Sequence, residues 1–203
     1  MGGTALATQQ YVMNIVRWVM LINVSIGLGT EIITGMMVGA GQFEEAYRGL
    51  LRSVRLGMCC ALGGATVLAL GAPWLLQTFT HDPAIVVTGV ILLRIGLVIE
   101  PGRVFNVIVI NSLRATGDAR FPVFVGLCVM WGVWVPLSWL LGLKLGWGMA
   151  GIWCAMACDE WTRGLLMYWR WRKWKWLPYA QRSRAKARGT ALGEAQNAGV
   201  TEP

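Results

Sequence analysis

Long apolar runs alternate with short polar segments along the chain, and this pattern predicts helices that cross a membrane. A helix needs about 20 mostly apolar residues to cross the hydrocarbon core. Because lipid offers no hydrogen-bond partners to an open backbone, apolar runs of that length are helices. The pattern therefore predicts an all-α, polytopic transmembrane bundle, with a membrane domain of residues 1–176. Its five expected spans are residues 7–38, 56–79, 84–113, 121–143 and 147–171.

The short segments between these runs carry the signals of turns and helix ends. Residues 39–55 form an amphipathic connector between the first two spans. Asp82 directly precedes Pro83, so its side chain is expected to cap the third span. Residues 114–120 predict a polar Gly-Asp turn. Residues 177–203 have no apolar periodicity and are expected to form a disordered, basic cytoplasmic tail.

The composition favours a membrane protein and argues against an enzyme. The 203 residues are 56% hydrophobic and only 14% charged, whereas a soluble domain has about 25% charged residues. The five cysteines lie in apolar runs and are odd in number, so they predict small buried residues rather than disulfides. The chain has one histidine, in a turn, and no phosphate-binding loop. No catalytic set, metal site or cofactor is therefore predicted.

The basic residues predict the orientation of the spans, because cytoplasmic loops carry the excess of Lys and Arg. When the span ends are assigned alternately to two sides, thirteen of the 18 basic residues fall on one side and only Lys144 on the other. We therefore expect a C-terminus in the cytoplasm and an N-terminus outside, in the plasma (inner) membrane. Topology and the anionic lipid of the bilayer account for the basic charge, and no nucleic-acid partner is predicted.

Three polar residues of the third span recur at three-residue spacing and so share a helix face: Glu100, Arg103 and Asn106. A charge at membrane depth costs about 2.5–3.5 kcal/mol on insertion scales, so Glu100 and Arg103 are expected to pair. Two interpretations stay open. In one, the patch binds a proton or cation and changes its pairing during transport. In the other, a static salt bridge only makes insertion tolerable.

The last span carries a second set of charges, Asp159 and Glu160. Adjacent side chains on a helix point about 100° apart, so these two cannot face one partner. Arg163 lies four residues after Asp159 and three residues after Glu160, and it is expected to neutralise one of the two acids. Proton coupling and structural pairing both fit this set. Glu31, toward the cytoplasmic end of the first span, is a further candidate for transport, or it pairs with an arginine of the connector.

Four short motifs, in order along the chain, resemble the multidrug and toxic compound extrusion (MATE) family. The run Ser112-Leu113-Arg114-Ala115-Thr116-Gly117-Asp118 resembles the family's "LRaxGD" signature. Residues 24–41, with VSIG and VGAG at their ends, resemble a glycine-rich helix of the family. Glu45-Ala46 and the following arginines resemble its cytoplasmic connector, and GMAGIW at 148–153 resembles the opening of its final helix. The resemblance covers roughly residues 8–176.

The resemblance implies a fold and a function. Members have twelve helices in two six-helix lobes, and this chain resembles helices eight to twelve, most of the C-terminal lobe. It implies an antiporter, driven by H⁺ or Na⁺, that exports small organic, often cationic, compounds by alternating access. In some members an acidic residue lies on the third of these helices near the ion site. Here Arg103 aligns with that position, and Glu100 lies one turn away.

Further residues and partners follow from the same resemblance. Aromatic and methionine side chains are expected to give the substrate an adaptable apolar wall: Met130, Trp131, Trp134 and Met156. The expected partners are the lipid bilayer and either an N-terminal lobe or another chain. The alternative is a truncated, non-transporting membrane protein or interaction subunit, because five helices with half a cavity should not perform alternating access alone. The DNA upstream of Met1 discriminates between the two.

Overall fold

The structure, a computed structural model, describes residues 3–199, with side chains to residue 190. This part of the chain is helical and contains no strand, which confirms the all-α prediction. Its helices are α1 (Gly3–Ala40), α2 (Phe43–Gln77), α3 (Pro83–Ala115), α4 (Arg120–Lys144), α5 (Gly148–Arg172) and α6 (Leu177–Gly199).

Four of these helices, α1 to α4, are long and apolar enough to cross a membrane. Helix α5 has 25 residues, or about 37 Å, which is also long enough. It carries Asp159, Glu160 and Arg163 in its middle, so its composition is less apolar than that of the others. Four of the five expected spans are therefore matched by length and composition, and α5 as a span stays a prediction.

Most of the connector expected at 39–55 is continuous with the second span, because residues 43–55 are the first turns of helix α2. Helix α2 runs without a break for 35 residues, and only the turn at Gly41 and Gln42 separates it from α1. Its first turns are amphipathic, because Ala46 and Leu50 are buried while the Glu44–Arg48 pair is exposed. The cap at the next helix is confirmed, since the Asp82 side chain accepts a hydrogen bond from the backbone N–H of Ala84 at 2.9 Å.

Helix α3 is the centre of the bundle and packs against α1, α2 and α5. Small residues allow the close approach of α2, because its buried face is a stripe of small side chains at three- and four-residue spacing: Gly57, Ala61, Ala65, Ala69 and Ala72. Gly27 does the same on α1, since a Cβ there would lie 2.7 Å from Val107 Cγ1 of α3. Small residues therefore bring both neighbours close to the central helix.

Helix α4 is widened in two places. Met130–Trp134 and Ser138–Lys144 have π-helical hydrogen bonding, and Pro136 lies between them. Proline has no N–H to donate and its ring crowds the preceding turn, which explains a local departure from α-helical bonding. The second widened stretch packs directly on α5, where a Cβ on Gly151 would lie 2.6 Å from the backbone carbon of Leu141.

This backbone contact predicts a sharp difference between two glycines. We expect Gly151→Ala to destabilise the protein by about 1–3 kcal/mol, because backbone atoms of α4 cannot move aside as a flexible side chain can. Gly132→Ala is the matched control, since a Cβ there meets nothing within 4 Å and alanine is the better helix former. Thermal unfolding of the detergent-purified variants measures both. Equal unfolding temperatures for Gly151→Ala and Gly132→Ala would contradict the close backbone contact at Gly151.

The tail differs from its prediction. Residues 177–199 form helix α6 rather than a disordered segment, and residues 200–203 lie outside the described part of the chain. The reason is long-range packing, which periodicity does not reveal. Ala180 and Trp176 are fully buried, and Trp176 stacks on Trp171 at 4.3 Å between ring centroids. Arg184 donates to the backbone oxygen of Ala40 at 3.2 Å, so α6 is attached to the end of α1.

Two apolar clusters fill the bundle, one toward each end. One cluster is centred on Leu76, Leu92 and Trp153, and the other on Leu50, Ile108 and Trp171. Much of the outer surface is also apolar, as expected for helices that face lipid. Cys154 is half-buried and the other four cysteines are exposed, so the prediction of buried cysteines is wrong. An apolar residue on a lipid-facing helix needs no burial in protein.

Candidate functional site

A network of charged and amide side chains lies between the two apolar clusters, in the middle of α3 and α5. It joins three carboxylates and two guanidinium groups with two asparagines: Glu100, Asp159, Glu160, Arg103, Arg163, Asn23 and Asn106. Five of the six predicted ion-coupling candidates are thus brought together. Burial is deep, since Glu100 is 2% and Asp159 3% exposed.

Arg103 connects the two helices of the network. Its Nη1 lies 2.6 Å from Glu100 Oε1, as the three-residue spacing on α3 predicts. Its Nε lies 3.5 Å from Glu160 Oε1 on α5. One guanidinium therefore holds a carboxylate on each of two helices. Loss of the contact with Glu100 would leave that buried carboxylate without its cation, and the contact with Glu160 depends on how α3 and α5 pack.

Each glutamate also accepts a hydrogen bond from an asparagine. Asn106 Nδ2 donates to Glu160 Oε2 at 2.8 Å, and Asn23 Nδ2 of α1 donates to Glu100 Oε2 at 3.2 Å. The amide oxygens of Asn23 and Asn106 are buried and have no hydrogen-bond partner among the described residues. The network therefore presents carboxylate and amide oxygens together, which are the ligands that hard cations prefer.

Asp159 and Glu160 face different partners, as their adjacency on a helix requires. Glu160 faces α3, whereas Asp159 pairs with Arg163 one turn further along α5. Arg163 also approaches Glu160, at 3.9 Å. The prediction that Arg163 neutralises one of the two acids is confirmed. Asp159 Oδ1 and Arg163 Nε have no hydrogen-bond partner among the described residues, so this part of the network is not saturated.

The formal charges of the network do not balance. Three carboxylates face two guanidinium groups, which leaves one negative charge in excess. A further arginine, Arg17, lines a cavity of about 270 Å³ together with Arg103, but Arg17 is exposed and makes no ion pair with a described side chain. An unbalanced charge in a low-dielectric interior is costly.

The remaining predicted residues do not form one site. Glu31 is half-exposed, and no described side chain makes an ion pair with it, so neither its role in transport nor its pairing with the connector is supported. Met156 reaches the network, with its Sδ 4.0 Å from Arg103 Nη2. Met130 lines a different cavity with Arg163, and Trp131 is 66% exposed. The structure therefore places Met156 at the network and Met130 in a different cavity, and an apolar wall formed with Trp131 and Trp134 stays a prediction.

Asn23 is a site residue that the sequence analysis did not identify. It belongs to a buried stripe of small and polar residues on α1 at three- and four-residue spacing: Asn23, Gly27, Thr30, Thr34 and Val38. In a membrane helix such a stripe marks a helix interface, because small and polar side chains pack and bond between helices there. That spacing was the available signal.

The end of the run at residues 112–118 forms a second, separate ion pair. Asp118 is 1% exposed and binds Arg170 of α5 with two hydrogen bonds, at 2.5 Å from Nε and 3.2 Å from Nη2. The Arg170 guanidinium also stacks on Phe121 at 4.1 Å. Gly117 adopts φ +88°, and a Cβ there would meet Ser183 of α6 at 2.3 Å. The turn thus fastens α3, α5 and α6 together.

The chain matches known proteins over most of its length. Residues 1–140 match the family model MatE. The chain is similar to the uncharacterized transporter YisQ of Bacillus subtilis strain 168, with 42% identity over 87% of this chain and 39% of YisQ. It is also similar to a protein named "Probable multidrug resistance protein NorM" of Pseudomonas aeruginosa, with 29% identity over 92% of this chain and 40% of the relative. The chain spans about two fifths of the length of these curated relatives.

Proposed function

This chain belongs to the MatE family, and from that premise we propose that it is part of a transporter that exports small organic compounds from the cell. The similarity to proteins named multidrug resistance proteins supports this activity. The long apolar helices support its place in the membrane. In this proposal the chain forms helices eight to twelve of the C-terminal lobe, and its chemistry is transport rather than catalysis.

The observation that carries the proposal is the excess negative charge of the buried network. An outside H⁺ or Na⁺ binds at the carboxylates, Glu100 first, and neutralises that charge. Arg103 is then held less strongly by Glu100 and Glu160, which loosens the connection between α3 and α5. A change of helix packing at the bundle centre is what alternating access requires. The ion gradient in this way drives release of a bulky organic substrate.

The orientation follows the basic residues. Arg114 and Arg120 at the α3–α4 turn, with the basic residues after α5, lie in the cytoplasm, and Lys144 lies outside. This arrangement agrees with the fold, because the α3–α4 turn and the end of α5 meet at the Asp118–Arg170 pair. Fluorescence labelling of single cysteines placed at residue 181 and at residue 146 in intact cells tests it. Labelling of the first but not the second would contradict the proposal.

A second candidate function is a non-transporting interaction subunit. It is favoured because the chain covers only about two fifths of the length of the relatives it matches. Sequencing upstream of Met1 separates the candidates. An open frame with further membrane spans leading into Gly2 supports the transporter, and an unrelated gene or a stop codon there supports the subunit.

Glu100→Gln is the direct test of coupling. In the full-length transporter, we expect the ion dependence of dye efflux to disappear, since the amide cannot bind a proton and binds a cation weakly. A coupling of this kind is typically worth about 1–3 kcal/mol in substrate affinity. Glu44→Gln, which changes an exposed pair at the start of α2, is the matched control. Unchanged efflux and unchanged ion dependence in Glu100→Gln would remove this residue from the mechanism.

A further inference from the structure

A groove of about 600 Å³ lies between α3, α4 and α5. Its volume falls in the range of about 300–1,000 Å³ that is typical of ligand sites. An arginine from each of α3 and α5 lines it, and its wall is apolar: Val123, Gly126, Leu127 and Met130. No acidic side chain is among the described residues that line it.

Arg114 gives the end of the groove an uncompensated positive charge. Arg114 lies in the last turn of α3, is exposed, and makes no ion pair with a described side chain. Arg163 lies nine residues before the end of α5, or about 13 Å deeper in the bundle. Its Nη2 pairs with Asp159, but its Nε is buried without a hydrogen-bond partner. The groove therefore offers one free guanidinium at its end and one unsatisfied N–H further inside.

The wall of the groove opens to the outside of the bundle. Val123 and Leu127 are 64% and 54% exposed, and they lie on the same face of α4. In a membrane, exposed apolar side chains of a spanning helix contact lipid chains rather than water. The groove thus combines a cationic end at the level of the head groups with an apolar channel that runs toward the membrane centre.

We propose that this groove binds an anionic phospholipid of the cytoplasmic leaflet. The phosphate group pairs with Arg114, an ester carbonyl below it accepts the Nε–H of Arg163, and an acyl chain lies along Val123, Leu127 and Met130. Basic pockets between spans on the cytoplasmic side are known to suit anionic head groups. The free guanidinium group of Arg114 disfavours an organic cation, and a soluble anion would leave the apolar wall unused.

Lipid binding to the detergent-purified chain, measured by native mass spectrometry, tests the charge requirement. We expect phosphatidylglycerol to bind more tightly than phosphatidylcholine. The substitution Arg114→Gln should lower the affinity for phosphatidylglycerol about five- to tenfold. Arg114→Lys keeps the charge and should restore most of the binding. Arg120→Gln is the matched control, because this exposed arginine lies in the same turn region but does not line the groove. If Arg114→Gln and Arg120→Gln weaken phosphatidylglycerol binding equally, the lipid binds to a diffuse basic surface and not in the groove.

A second pair of variants tests the apolar wall. Gly126→Phe places a ring in the groove, and Gly132→Phe places one elsewhere on α4; a Cβ at either position meets nothing within 4 Å. We expect only Gly126→Phe to abolish the preference for phosphatidylglycerol. Retained preference in Gly126→Phe would overturn the proposal. So would displacement of the lipid by millimolar inorganic phosphate, because the anion alone would then be the ligand. Capture of a second copy of the chain at this face in place of lipid would also overturn it.

Discussion

Arg103→Gln is expected to destabilise the membrane bundle strongly, by about 3–5 kcal/mol. The change removes the cation that lies 2.6 Å from Glu100 and 3.5 Å from Glu160, and it leaves both carboxylates buried. Glutamine preserves part of the side-chain volume and can still donate a hydrogen bond, so the loss measures charge rather than packing. The measurement is thermal or denaturant unfolding of the purified protein in mixed micelles.

The matched control for Arg103→Gln is Arg48→Gln. Arg48 forms the same kind of helical pair, with Glu44, but both side chains are 59% exposed. Exposed pairs contribute about 0–1 kcal/mol, so this variant should unfold almost as the wild type does. The double variant Glu100→Gln/Arg103→Gln should recover part of the stability, because it removes one of the uncompensated carboxylates. If Arg103→Gln lowers the free energy of unfolding no more than Arg48→Gln does, the network carries no buried charge.

The local contacts of the network could be predicted from the sequence, and the long-range contacts could not. Glu100 with Arg103, and Asp159 with Arg163, lie three and four residues apart, and helix geometry alone brings such residues together. The contact of Arg103 with Glu160 joins two helices 57 positions apart, and only the packing of α5 on α3 creates it. Sequence spacing holds no information about the rotation of one helix against another.

The helix boundaries show the same difference between local features, which the sequence predicts, and long-range features, which it does not. The cap at Asp82 was predictable, because it depends on a side chain and a backbone N–H two residues apart. The continuity of the connector with the second span was not, since an amphipathic stretch beside an apolar one fits either one helix or two. The tail helix α6 was missed because its burial rests on few residues, Ala180 above all, and on contacts with the distant turns at Gly41 and Gly117.

The two buried ion-pair systems of this bundle differ in a way that bears on function. The central network has a negative charge in excess, and several of its buried polar atoms have no hydrogen-bond partner among the described residues. The Asp118–Arg170 pair is balanced, with both carboxylate oxygens bound and the guanidinium stacked on an aromatic ring. We therefore assign ion response to the central network and mechanical connection to the Asp118–Arg170 pair.

Asp118→Asn is expected to separate these two roles. It leaves Arg170 without a counter-charge beneath Phe121, at a cost of about 3–5 kcal/mol for breaking a buried pair. Because the turn also contacts Ser183, the loss should extend to α6. Hydrogen exchange should therefore rise across residues 177–184, while the amides of α1 near Asn23 stay protected. The measurement is unfolding in mixed micelles together with hydrogen–deuterium exchange of the same samples.

The control for Asp118→Asn is the same chemical change at the other end of α3. Asp82→Asn alters an exposed helix cap, where asparagine caps about as well as aspartate, so stability should change by only a few tenths of a kcal/mol. Arg170→Gln should reproduce the loss seen in Asp118→Asn. The double variant should lose less than the sum of the single losses, because each single change already breaks the same pair. Additive losses, or exchange that rises equally in α1 and α6, would show that the pair does not connect α5 and α6 to the turn.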